Sequence, residues 1–214
     1  MIMSRVMTKN PIFIHPDMPV NEARSLMERE HIGKLPVLDR ANRLIGIITK
    51  KDIRTAGPSP ATSLDMYEIS YLMTKLTVEK IMERNIITVD ETEVVEEAAR
   101  IMADKAISCL PVMRGPLLVG IITSTDLFRV FVDAFGVRHP GVRITVNMTE
   151  RPGELARFAG AVAEKGGNIV SFVSFEGDDL SHRRGTYRIA GISLADAEAI
   201  ARSIPGAEIE DIRE

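Results

Sequence analysis

Gly46-Ile47-Ile48-Thr49-Lys50-Lys51-Asp52 returns further along the chain as Gly120-Ile121-Ile122-Thr123-Ser124-Thr125-Asp126. Each copy follows a Leu-Pro-Val, at Leu35-Pro36-Val37 and Leu110-Pro111-Val112. Upstream, Met7, Asn10 and Ile12 recur as Met82, Asn85 and Ile87, and Glu22-Ala23 and Met27 recur as Glu97-Ala98 and Met102. The offset is 75 residues from Pro36 to Pro111 and 74 from Gly46 to Gly120, so the intervening turn is one residue shorter in the second copy. Such self-similarity means one supersecondary unit used twice and packed against itself.

The order of elements within each copy reads β-α-β-β-α. In copy one, a strand at Ile12-Phe13-Ile14 precedes a helix from Val20 with Val20, Ala23 and Met27 on one face. Strands at Leu35–Leu38 and Leu44–Ile48 follow, then a helix after Thr49. Copy two predicts a strand over Ile86–Val89, a helix through Val95, Ala98 and Met102, strands Leu110–Met113 and Leu118–Ile122, and a helix from Thr123. Between the copies, Ala56-Gly57-Pro58-Ser59-Pro60 breaks the pattern. Leu64, Tyr67, Tyr71 and Leu72 then predict a connecting helix over Ser63–Lys75. After His139-Pro140-Gly141, the alternation of Val142, Ile144, Val146 and Met148 begins a second pattern, βαββαβ, the order of a ferredoxin-like sandwich. The class is therefore α+β, divided as 1–55 and 77–135 for the repeats, 56–76 and 136–141 for linkers, and 142–214 for the last domain.

Composition bounds the function. The 214 residues carry a formal charge of −3, 45% hydrophobic and 27% charged side chains, an ordinary globular balance with no basic field for nucleic acid. Arg183-Arg184 reads as a solvated turn. No apolar run reaches membrane-spanning length and the start lacks a signal-peptide core, so a cytoplasmic protein is expected. One cysteine, Cys109, suits a reducing compartment and reads as a small buried side chain. His15, His31, His139 and His182 have no metal-ligand spacing, and no nucleophile or phosphate-loop motif is present. No catalytic and no metal-binding residue is assigned.

Thr49 and Thr123 each stand between an apolar strand and a helix, with an acidic residue three positions on. Two readings remain open for that pattern. It is a capping device, in which Thr and Asp satisfy the helix start. It is equally a ligand device, in which helix N–H groups meet an anion and a carboxylate grips a ribose diol. The paired prolines favour the second, because a strand proline leaves a ladder position without a donor and suits an edge near a cleft.

The repeats resemble paired CBS domains, the Bateman module, over roughly residues 1–135, through Val6-Met7, Ile81-Met82, the two Leu-Pro-Val runs and both Gly-Ile-Ile-Thr-x-x-Asp runs. The resemblance implies a pseudo-two-fold pair whose clefts bind AMP, ADP, ATP or a related adenosyl ligand. It places Thr49 and Thr123 on phosphate or ribose, Asp52 and Asp126 on the ribose hydroxyls, Thr88 on the nucleotide, and Ile12, Ile87, Pro36 and Pro111 around the adenine. The copies differ. Phe13 stands where copy two has Thr88, and Lys50-Lys51 stand against Ser124-Thr125. Two ammonium groups predict a polyphosphate preference at the Asp52 site and a monophosphate at the Asp126 site; solvent-facing lysines are the plainer reading.

Glu150-Arg151-Pro152-Gly153-Glu154-Leu155 followed by Gly166-Gly167-Asn168-Ile169 resembles an ACT domain over Val142–Ile212. That resemblance implies dimerisation and amino-acid binding at a subunit interface, through Gly153, read as a point of close strand–helix approach, and Asn168. The plainer reading makes Pro152-Gly153 a turn and Asn168 a left-handed residue after the helix. Two CBS units followed by an ACT domain resemble the acetoin-utilisation regulatory protein B-like group. The expected protein is thus a homodimeric regulator of another protein, needing no cofactor beyond an adenine nucleotide as regulatory ligand. A constitutive assembly module and a small nucleotide-using enzyme stay open beside it.

Overall fold

The computed structural model describes residues 1–57, 65, 67, 71, 75–177 and 179–214, so most of the connecting segment expected at Ser63–Lys75 lies outside the described residues. The chain separates into two compact units, Met1–Leu127 and Phe128–Glu214.

In the first unit, copy one contributes a 3-10 turn at Met3–Arg5, β1 (Thr8–Lys9), α1 (Val20–Arg29), β2 (Lys34–Leu38), β3 (Leu44–Thr49) and α2 (Lys50–Ala56). Copy two contributes a 3-10 turn at Val78–Lys80, β4 (Val89–Asp90), α3 (Val95–Asp104), β5 (Cys109–Arg114), β6 (Leu117–Thr123) and α4 (Ser124–Ala134), which runs into the second unit. Both predicted hairpins form with matched register: Leu35 faces Ile48, and Leu110 faces Ile122.

The short strand that opens each copy is smaller than its apolar letters predict. Copy one has only a parallel bridge between Ile14 and Val37, and β4 starts at Val89 rather than Ile86. The prolines explain both. Ile14 N–H donates to the Pro36 carbonyl (3.0 Å) and Leu38 N–H to the Ile14 carbonyl (2.9 Å). The next rung needs an N–H from Pro36, which has none, so pairing stops before Ile12. Pro111 has the same place beside β4, whose register begins at Val89 facing Val112. Pro111 does not mark a sheet edge as expected, since β5 lies inside the order β1-β6-β5-β4. Pro36 lies in β2 of the two-stranded sheet β2-β3, flanked beyond it only by the Ile14 bridge. Both prolines end the parallel pairing.

The leading segment of each copy folds onto the other copy. β1 pairs with β6, Thr8 facing Ile121, while Glu83 bridges Ile47 of β3. Met3 N–H donates to Glu93 carbonyl (2.8 Å), and Val78 N–H donates to Met18 carbonyl (2.9 Å). Val78 and Met82 accordingly belong to copy one's core, with Ile14, Val20, Met27, Leu35 and Ile48. The seam is made by glycine and methionine. A Cβ on Gly46 would lie 2.3 Å from Met82 Sδ, and one on Gly120 would lie 2.3 Å from Met7 Sδ.

The second unit comprises β7 (Val142–Thr149), α5 (Glu154–Glu164), β8 (Asn168–Glu176), β9 (His182–Ala190), α6 (Leu194–Ser203) and β10 (Glu208–Arg213). The sheet order β10-β7-β9-β8 with two helices is the ferredoxin-like arrangement expected. Ile144, Val146 and Met148 pack with Phe158, Val162, Tyr187, Ile189 and Ile200 in its core. The sequence reading of Arg183-Arg184 as a turn is corrected. Both lie in β9, with Arg183 paired to Glu150 (2.9 Å) and Arg184 to Glu210 (2.6 Å). Opposite charges on β10, across the intervening β7, and on the loop after β7 make a strand of arginines tolerable.

Candidate functional site

The repeated Thr-x-x-Asp caps a helix in both copies. In copy one, Thr49 donates its N–H (2.8 Å) and its hydroxyl (2.7 Å) to Asp52 Oδ2, and Asp52 N–H donates to Thr49 Oγ1 (3.3 Å), a reciprocal capping box. In copy two, Thr123 donates N–H (2.9 Å) and hydroxyl (2.7 Å) to Asp126 Oδ2. Lys50 N–H donates to Gly33 carbonyl (3.0 Å), and Ser124 N–H to Ser108 carbonyl (3.1 Å). The outward row of free N–H groups expected at these helix starts is therefore largely occupied by the fold itself. The capping box and the strand–helix turn consume the donors. Asp52 keeps Oδ1 as the oxygen outside its cap.

Copy one's helix start opens on a cleft of about 450 Å³, within the span of small-molecule sites. Thr49, Lys50, Lys51 and Asp52 line it from one repeat, and Ile87 and Pro111 from the other. Six of the residues named from the sequence thus converge. Thr88, exposed beside Ile87, does not line this cleft. Ile12, Pro36, Thr123 and Asp126, the repeat-related positions, do not line this cleft; Ile12 is exposed, Pro36 and Asp126 are buried. Phe13 is exposed and meets His15 edge to face at 5.8 Å.

Sequence reasoning missed Gly33, Glu83, Asn85, Ser108 and Cys109 in the cleft wall. Asn85 carried a signal, since it repeats Asn10; the others enter only because the leading segment and the Leu-Pro-Val strand are brought to the partner repeat. Cys109 is half-buried rather than core. Burial pushes its thiol up from the ordinary value, the neighbouring Lys34 ammonium opposes the shift and the Asp52 carboxylate adds to it. The thiol is thus kept protonated and poorly nucleophilic.

This geometry, a duplicated β-α-β-β-α unit with a cleft shared between repeats, coincides with a family match: CBS domain, at residues 3–59 and 78–133. The chain belongs to the CBS domain family. Residues 140–213 match the TTHA0829-like ACT domain, so the second unit is an ACT domain behind a CBS pair. Among solved structures, the CBS domain pair of protein MJ0100 in complex with 5′-methylthioadenosine and S-adenosyl-L-methionine is 32% identical, with TM-score 0.52, covering 65% of this chain and 98% of that one. The AcuB protein of Vibrio cholerae is 26% identical, with TM-score 0.54 and the same coverage. The L-aspartate semialdehyde sulfurtransferase of Methanocaldococcus jannaschii is 35% identical over 127 residues, 59% of this chain. The chain spans only 22% to 32% of the first three curated relatives' lengths.

In the ACT unit, the two positions named for an amino acid do not meet within one protomer. Thr149, at the end of β7 next to the Gly153 loop, faces His182, whereas Asn168 faces Ala190 at the other end of β9. Gly153 is required for its backbone, not for close approach: φ is +94° and a Cβ there would touch nothing within 4 Å. The left-handed residue ending α5 is Gly166, at φ +75°, and Asn168 is the first residue of β8. No helix among the described residues is long and apolar enough to cross a membrane.

Proposed function

We propose that this chain is a regulatory sensor whose CBS pair binds an adenosyl ligand in the cleft between Asp52 and Ile87 and, by the repeat symmetry, in its counterpart between Asp126 and Ile12. The convergence of Thr49, Lys50, Lys51 and Asp52 from one repeat with Ile87 and Pro111 from the other carries this reading. Apolar Ile87 and Pro111 cover an adenine face, Asp52 Oδ1 accepts from the ribose hydroxyls, and Lys50 and Lys51 draw phosphates. The complex of the MJ0100 pair with two adenosyl compounds supports the ligand class. The counterpart cleft, with Ser124 and Thr125 in place of the lysines and Thr123, Asp126, Ile12 and Pro36 around the ligand, takes fewer phosphates. Thr88, exposed next to Ile87 and outside the cleft wall, joins the nucleotide contacts on ligand binding. Because the wall comes from both repeats, occupancy shifts the population of their arrangements. The ACT unit, 142–214 in this reading, joins two copies and binds an amino acid through Gly153 of one and Asn168 of the other. The protein works in the cytoplasm on a partner protein and performs no catalysis itself.

Calorimetry with ATP, AMP, 5′-methylthioadenosine and S-adenosyl-L-methionine on wild type, Asp52→Asn and Asp126→Asn tests this. Asp52→Asn weakens the ligand with more phosphates, and Asp126→Asn the one with fewer. Absence of heat and of any thermal shift with all four at millimolar concentration refutes the sensor, since a binder stabilises by about 2.7 kcal/mol at a hundredfold excess over Kd. The complete capping box of Thr49 and Asp52 favours one other reading, a constitutive assembly module, and that result would support it.

A further inference from the structure

A second pocket lies in the ACT unit, at the end of the sheet where β7 turns into α5. It measures about 190 Å³, and its walls include Arg151, Leu155, Phe172, Ser174, Gly185 and Tyr187; neither Gly153 nor Asn168 lines it. Tyr187 is fully buried, and its hydroxyl has no hydrogen-bond partner among the described residues. Burying a hydroxyl unpaired costs about 1–3 kcal/mol. A phenylalanine would keep the ring stacking on Phe158 (4.1 Å) and Phe172 (4.8 Å) without that cost. Gly185 lets the hydroxyl and the Phe172 ring close onto its backbone. A Cβ there would come 3.0 Å from the Tyr187 hydroxyl oxygen and 3.1 Å from the Phe172 ring. The unpaired hydroxyl therefore packs directly over Gly185, beneath the Phe172 ring, in the pocket wall.

The charges around the pocket favour an anion. Glu150 is paired with Arg183 (2.9 Å) and Glu154 with Arg157 (2.9 Å), while Arg151 has no ion-pair partner among the described residues. The eleven-residue helix α5 starts here behind Gly153, and no side chain caps it. An uncapped helix start and an unpaired guanidinium attract a carboxylate. The deeper donor, the Tyr187 hydroxyl, needs a second oxygen acceptor. The volume, below the roughly 300–1,000 Å³ of drug-sized sites, admits only a small molecule.

We propose that this intra-protomer pocket binds a short α-keto or α-hydroxy carboxylate, its carboxylate at the α5 start beside Arg151 and its second oxygen accepting from Tyr187. Phe172, a partly exposed ring against Tyr187, swings to admit it. The proposal is independent of the CBS clefts and of the Gly153–Asn168 interface.

The full chain labelled with fluorotyrosine carries three reporters, Tyr67, Tyr71 and Tyr187, whose fluorine resonances are assigned by single Tyr→Phe variants. Pyruvate and lactate are titrated to millimolar concentration, with acetate and alanine as comparators. The expected result is saturable movement of the Tyr187 resonance by pyruvate or lactate and weaker movement by acetate. Calorimetry then shows about tenfold weaker binding in Tyr187→Phe, which folds at least as stably as wild type, and weaker binding in Arg151→Gln, an exposed change. A Tyr187 resonance that neither acid moves overturns the proposal, as does unchanged affinity in either variant.

Discussion

Replacing Gly46 by alanine tests which methionine fills the seam between the repeats. The added Cβ would meet Met82 at 2.3 Å from Sδ, 2.9 Å from Cγ and 3.2 Å from Cε. Met82 is buried, so three of its atoms have to move inside a packed core. Overpacking of this kind costs about 1–3 kcal/mol, offset by about 0.5–1 kcal/mol from replacing a strand glycine. Gly46→Ala alone should then lose about 1–2 kcal/mol. Met82→Ala alone should lose about 2–5 kcal/mol through its cavity. In the double variant the new methyl enters space already vacated, so Gly46→Ala becomes neutral or mildly stabilising there. The coupling should be about 2 kcal/mol, far outside the ~0.5 kcal/mol within which independent sites add. Urea unfolding of the four proteins measures it. The control is Gly46→Ala with Met7→Ala, which should be additive, whereas Gly120→Ala should couple to Met7→Ala. Additivity of Gly46→Ala with Met82→Ala, or equal coupling to Met7→Ala, would refute the exchange of leading segments.

Ser193→Ala removes a capping box in which the serine hydroxyl donates to Asp196 Oδ2 (2.6 Å) and accepts from Asp196 N–H (3.1 Å), and should destabilise by about 1 kcal/mol in chemical unfolding. The Ser193 hydroxyl and backbone N–H, helped by Lys165, hold the Asp196 carboxyl below its ordinary value of 3.8, so this stability is present above that pH and lost on acidification below it. The variant, which keeps the backbone N–H and Lys165, shows a smaller pH dependence. Burial pushes the Tyr187 phenol up to about 12 from 10.0, so the stabilisation is full below pH 10 and lost as pH rises toward 12. An ultraviolet titration should show Tyr187 ionising near pH 12, and ionisation at its ordinary value would contradict the buried environment.

Duplication was legible because Gly-Ile-Ile-Thr-x-x-Asp and Leu-Pro-Val recur in register, and the hairpins followed from those letters. The short opening strands were misjudged at Ile12 and Ile86, where apolar letters suggest pairing but Pro36 and Pro111 supply no donor. Arg183-Arg184 looked like a turn because their acidic partners, Glu150 and Glu210, are remote in sequence. The candidate cleft was half visible. Thr49, Asp52, Ile87 and Pro111 were named from the repeat, while Glu83, Ser108 and Cys109 reach it only through the folded pair.

The sequence by itself determined that one unit is used twice, that a βαββαβ domain follows, and which helix starts carry a Thr-x-x-Asp cap. Those features rest on local periodicity and on contacts three residues apart, which a chain specifies wherever it lies. The tertiary structure alone decided that Met7 packs on Gly120 and Met82 on Gly46. Both copies offer the same methionine and the same glycine, so local preference is equal for pairing within a copy and between copies. Only the closed core, in which Val78 and Met82 complete the first repeat and β1 completes the sheet of the second, separates the two. That exchange is also what draws the two repeats together around the cleft.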